Sequence, residues 1–176
     1  MGVIIFGLMN QQKILAQAKT SAFGLKKLNF GLARMIPFNK PHRIKITKIE
    51  DDLVETIIPY RKKNLNHIKG IHACGLATCA EFASGFLLVS KLDPKKYMLI
   101  MQSLEMEFHY QAKSDVKAMF KADDQWINEN IITPLASSEK TNVKCEIPLY
   151  DSEQNHVATA HTNWQIKDWA KVKTKL

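Results

Sequence analysis

The chain has 176 residues, is 45% hydrophobic and carries a net charge of +8. That is one ordinary domain with enough apolar sequence for a real core; solenoids, low-complexity chains and disulfide scaffolds are excluded. Three cysteines, Cys74, Cys79 and Cys145, show neither zinc-knuckle nor redox spacing, so a reducing, cytoplasmic setting is expected.

The charge is uneven. Residues 1–49 hold nine Lys or Arg and no Asp or Glu, whereas the remainder is close to neutral. We read residues 1–37 as a basic helical arm and 43–168 as the core of a single domain. Such an arm suits anionic lipid, nucleic acid or phosphate, or is a solvated helix face. Nucleic-acid binding has only this charge in its favour and is not expected, and peripheral membrane contact is the functional alternative. The start, MGVIIFGLM, has no basic residue before its apolar run and no A-x-A-like end, so a signal peptide is not expected.

A helix is predicted over 11–20 and another over 22–35, where Leu25, Leu28, Leu32 and Met35 repeat at helical steps and Pro37 stops it. Residues 43–49 alternate as a strand, Glu50–Asp51–Asp52 turns, and 53–60 returns as a second strand of a hairpin. From Ala73 a long helix is apolar nearly all round and contains one charge, Glu81. Its length would also cross a membrane, but Glu81, Thr78, Ser84 and flanking strand-like sequence argue for a covered core helix.

Pro94 breaks this helix, and strands are predicted over 97–110 and 116–120. Asp123 and Asp124 cap a helix ending at Pro134. Strands follow over 143–149 and 156–166, with a turn at 151–155 and a basic tail over 169–176. Strand-rich sequence around one central helix is an α+β arrangement, and a curved antiparallel sheet wrapping that helix would bury it.

Chemistry concentrates between Asn66 and Glu81. Amides at a helix start have no intrahelical partner, so Ala73, Cys74 and Gly75 could hold an oxyanion. Glu81 lies about two turns on, roughly 10 Å along the axis, so a symmetric pair of helices would be needed to bring one subunit's helix start to the other's carboxylate. A glutamate in apolar surroundings is raised in pKa and suits a base; alternatively it is a structural carboxylate with a cationic or backbone partner. No His spacing suits a metal, and no Gly-rich phosphate loop or serine nucleophile elbow occurs.

Asn66, the turn at His72 and Glu81 resemble the hot-dog fold thioesterases of the phenylacetic-acid-pathway type, and 59–113 is most similar to a branch carried as a domain of unknown function. The family's Gly-Gly is Ala73–Cys74 here, and Glu81 stands where Asp is commoner. The resemblance implies a hot-dog fold, a homodimer or a tetramer built from it, and hydrolysis of an acyl-CoA thioester with no cofactor beyond the substrate's own coenzyme A. It implies Glu81 as general base or nucleophile, the amide near Ala73 as carbonyl polariser, Asn66 as orienter and His72 as support. Lys69 is a candidate for coenzyme A phosphates, and Ser84 and Ser103 are candidates to face substrate. A non-catalytic acyl- or lipid-binding protein is the alternative.

Overall fold

The computed structural model describes residues 8–171. Two helices, α1 (Leu8–Thr20) and α2 (Ala22–Met35), and a short α3 (Asn39–His42) precede the hairpin β1 (Lys45–Ile49) and β2 (Leu53–Ile58). Then come α4 (Ala73–Lys91), β3 (Tyr97–Phe108), β4 (Val116–Lys121), α5 (Asp124–Ile127), α6 (Thr133–Ser137), β5 (Lys140–Asp151) and β6 (His156–Asp168). The strands form one antiparallel sheet in the order β1-β2-β4-β5-β6-β3.

This sheet curves around α4, as the apolar composition of that helix requires. β4 is strictly alternating, with Val116, Ala118 and Phe120 buried and the residues between them exposed. In β5 the inward set is Val143, Cys145, Ile147 and Leu149. These side chains meet Leu76, Cys79, Ala80, Phe82, Ala83, Leu87 and Leu88 of α4 in one core. Burial pushes the thiols of Cys79 and Cys145 up to about 12, so both are small core residues.

The two sheet edges differ. On β1, Asn29 of α2 does the work of a neighbouring strand: its Oδ1 accepts from Ile46 N–H at 2.9 Å and its Nδ2 donates to Ile46 O at 2.8 Å. The α1–α2 hairpin that delivers Asn29 is tight. Ser21 caps α2 by accepting from Gly24 N–H, and a Cβ at Gly24 would lie 2.2 Å from Gln17 O. At the other edge, β3 has no strand beyond it among the described residues. Its twelve residues include neither Lys nor Pro, the usual guards of an open edge.

Two sequence expectations change. Pro134 does not end the helix that Asp123 caps. The chain passes through a π-helical turn at Asn128–Ile132 and continues as α6, with Pro134 in its first turn, where its missing N–H costs little. The strand expected from residue 43 begins at Lys45, because residues 39–42 form α3 with Pro41 in its first turn and Arg43 closes that helix at φ 55°. Most of the basic tail expected over 169–176 lies outside the described residues, as does most of the apolar start.

Candidate active site

The first turn of α4 is fixed from outside. Asn64 is 2% exposed; its Nδ2 donates to His42 O (2.9 Å) and Pro59 O (2.8 Å), and its Oδ1 lies 3.1 Å from His42 Nδ1. The backbone carbonyl of Asn64 accepts from His72 N–H at 2.8 Å. Asn64 therefore ties α3 and the end of β2 to the residue that opens α4. Sequence reading singled out Asn66 and passed over Asn64, because nothing local distinguishes a buried loop asparagine from an exposed one.

His72 is the N-cap of α4, and its Nδ1 accepts from Cys74 N–H at 3.1 Å. An accepting Nδ1 carries no proton, so the neutral ring holds its proton on Nε2. Gly75 and Leu76 N–H both donate to His72 O, at 2.9 and 3.2 Å. Of the three amides expected to serve an oxyanion, those of Cys74 and Gly75 are thus already engaged. The N–H of Ala73 has no partner among the described residues, and it carries the positive end of a 19-residue helix.

Asn66 shapes the loop before it. Its Oδ1 accepts from Ile68 N–H (3.1 Å) and Gly70 N–H (3.0 Å), which leaves Nδ2 free. Gln111 Nε2 donates to Ile68 O, and Ile71 N–H to Ala112 O, so the loop is sewn to the segment after β3. Asn66 and Ala73 line one cleft of about 360 Å³ with Leu76, Phe108, Tyr110 and Gln111. His72, Cys74 and Gly75 line a different one with His42, Lys63 and Thr78. The structure therefore brings Asn66 together with Ala73 and turns His72 the other way.

Glu81 lies in neither cleft, eight residues and about 12 Å along the axis from Ala73. It is half-buried on the face of α4 that the sheet leaves uncovered, together with Cys74, Ala77 and Thr78. Its carboxylate has no hydrogen bond or ion pair among the described residues, and burial raises its pKa above the ordinary glutamate range. The structural alternative, a carboxylate held by a cation or a backbone group, does not match this geometry. Gly85, one turn on, leaves room for both Glu81 and the Trp164 ring: a Cβ there would be 3.7 Å from Glu81 Oε1 and 2.9 Å from Trp164 Cζ2.

The remaining candidates lie apart. Ser84 is fully buried: its hydroxyl accepts from Trp164 Nε1–H at 3.1 Å and lies 3.2 Å from Glu81 O and 3.3 Å from Thr162 Oγ1. It ties α4 to β6 inside the core. Ser103 is exposed on β3, in an outer cleft with Glu105, Glu107, Glu146 and His161. Lys69 is exposed at φ 61°, and its carbonyl accepts from the Tyr60 hydroxyl at 2.7 Å. No group of three or more His, Cys, Asp or Glu suited to a metal ion occurs among the described residues.

A curved antiparallel sheet wrapped around one long central helix is the hot-dog fold. Solved structures agree. A protein of unknown function from Pseudomonas aeruginosa, described as a probable thioesterase, is 20% identical with a TM-score of 0.73, covering 89% of this chain and 95% of its own. A thioesterase from Haemophilus influenzae is 12% identical with a TM-score of 0.65, covering 82% and 90%. A protein of unknown function from Chlorobaculum tepidum is 15% identical with a TM-score of 0.70, covering 85% and 98%. The chain belongs to the DUF4442 family, a domain of unknown function, over residues 24–166. No curated protein sequence matches it.

Proposed function

We propose that this protein hydrolyses acyl-CoA-type thioesters at a site shared by two copies of the chain. The observation that carries the reading is the pairing of two unsatisfied groups on α4, the Ala73 N–H and the Glu81 carboxylate, too far apart to act on one carbonyl within one subunit. Two antiparallel α4 helices would set each Ala73 opposite the other copy's Glu81. The open β3 edge supplies the means, since strand pairing across a two-fold axis would continue the sheet.

In this site the thioester carbonyl oxygen accepts from Ala73 N–H, and the positive helix end stabilises the charge that grows there. Asn66 lines the same cleft, and its free Nδ2 donates to the carbonyl or to water. Glu81 takes a proton from water as the water oxygen bonds to the carbonyl carbon; collapse then breaks the C–S bond and the thiolate leaves and is protonated. The alternative step is direct attack by the Glu81 carboxylate, which expels the thiolate as the C–S bond breaks and leaves a mixed anhydride; water then opens it to the free acid and restores Glu81. His72 acts through the helix start, as its cap. Lys69 offers an exposed ammonium to the coenzyme A phosphates.

A second reading, acyl binding without catalysis, draws on the engagement of the Cys74 and Gly75 amides, which leaves one donor for an oxyanion. A panel of acyl-CoA thioesters, with thiol release followed for wild type and Glu81→Gln, separates the two. Hydrolysis that collapses in the variant supports the enzyme; no release from any thioester supports the binder.

A further inference from the structure

The hairpin of α1 and α2 carries a surface that the site does not use. Phe23, Lys27, Phe30 and Arg34 recur at steps of four, three and four along α2, which places them within an arc of about 60°. Leu25, Leu28 and Leu32 occupy the opposite side and pack on the core. The stripe therefore faces solvent: Phe23 is 78% and Phe30 63% exposed. Single exposed hydrophobic residues are ordinary, but these two alternate with cations on one line. The guanidinium of Arg34 sits 3.7 Å from the centre of the Phe30 ring, which holds charge and aromatic at one level. Lys27, Phe30 and Arg34 also line an apolar groove of about 340 Å³ between the hairpin and the far end of α4, with Gly31, Phe86 and Val89.

We propose that this face of α2 docks on an anionic membrane surface, with Phe23 and Phe30 inserted at headgroup depth and Lys27 and Arg34 meeting lipid phosphates. Charge complementarity selects this occupant. Residues 1–49 contain no Asp or Glu, so nothing on the hairpin opposes a negative surface. Lys19 meets Asp51, but the cations of the stripe form no ion pair among the described residues. A protein partner would favour an apolar centre with a charged rim. Here aromatic and basic side chains interleave along one line, which suits the boundary between acyl chains and headgroups, where long cationic side chains reach outward while rings stay buried. The docking is independent of whether the thioester reading holds.

The test is flotation of the full chain with vesicles of phosphatidylcholine alone and of phosphatidylcholine with a minority of phosphatidylglycerol. Binding should require phosphatidylglycerol and weaken with salt. Each basic residue near such a surface contributes about 1 kcal/mol, so Lys27→Gln with Arg34→Gln should lower partitioning roughly thirtyfold. Phe23→Ser with Phe30→Ser should lower it roughly tenfold or more through lost apolar burial. Lys140→Gln with Lys144→Gln removes the same charge from the sheet and should leave binding unchanged; all six positions are exposed, and circular dichroism verifies folding. Binding to neither vesicle, equal binding to both, or an equal loss in the sheet variant overturns the proposal. So does a stripe variant that alters oligomeric state while vesicle binding is absent, since the occupant is then a second copy.

Discussion

Trp164, on the last strand, donates its indole N–H to the Ser84 hydroxyl of α4 at 3.1 Å, across 80 residues of sequence. That bond holds the ring close against Gly85, the residue one turn on from Glu81. A Cβ at Gly85 would lie 2.9 and 3.0 Å from Trp164 Cζ2 and Cη2, and these are atoms of a rigid buried ring. Gly85→Ala should therefore cost about 1–3 kcal/mol by overpacking. Urea denaturation reads the loss, and a change in tryptophan emission reports the displaced ring.

Glu81→Gln should separate function from stability. The carboxylate is desolvated and unpaired, and its pKa is raised on folding. Between the ordinary glutamate pKa and the raised folded value, the unfolded chain binds fewer protons than the folded one, so stability falls as pH rises through that window. Above it, a buried charge remains a standing cost. The variant should melt higher than wild type near pH 7, and the difference should vanish near pH 4, while thioester hydrolysis is lost. A lower melting temperature at neutral pH would mean that the carboxylate has a stabilising partner.

The Ala73 amide can be removed without touching a side chain. Ala73 is the first helical residue of α4 and its N–H is unpaired, so proline fits there, and His72 at φ −66°, ψ 136° has the extended backbone that a following proline demands. Ala73→Pro should fold as wild type by circular dichroism and thermal melting. Loss of one oxyanion donor should lower kcat by roughly 10²–10³. An unchanged kcat would remove this amide from the reaction.

The open edge of β3 carries Ile100 at 43% and Phe108 at 53% exposure. A lysine on an edge strand discourages pairing with another chain. Ile100→Lys with Phe108→Lys should convert the proposed dimer to a monomer in light scattering and abolish hydrolysis with it. A monomeric wild type would remove the shared-site scheme.

Periodicity made most elements legible. Val116, Ala118 and Phe120 declare a strand because one face of a sheet is buried and the other is not. The long apolar run from Ala73 declares a core helix because its only charge is Glu81. Local chemistry was also legible in Asp123, whose carboxylate accepts from Trp126 N–H at 2.7 Å as a cap. Pro134 misled because a π-helical turn upstream supplied a new first turn to receive it. Ser84 misled for a different reason. A serine near a candidate base is equally at home in a site or in the core, and only Trp164, eighty residues away, decides which.

The sequence by itself determined an α+β domain with one central helix, a basic amphipathic start, a lone carboxylate in apolar company and a bare helix end before it. These follow from local rules of side-chain alternation, capping and charge. Tertiary structure alone decided that β3 crosses to the far edge of the sheet while Asn29 closes the near one. It alone decided that Asn66 shares a cleft with Ala73, that His72 consumes the amides of Cys74 and Gly75, and that Glu81 stays unpaired. The physical reason is that hydrogen-bond satisfaction is settled between groups distant along the chain, and no local pattern records which donors remain free.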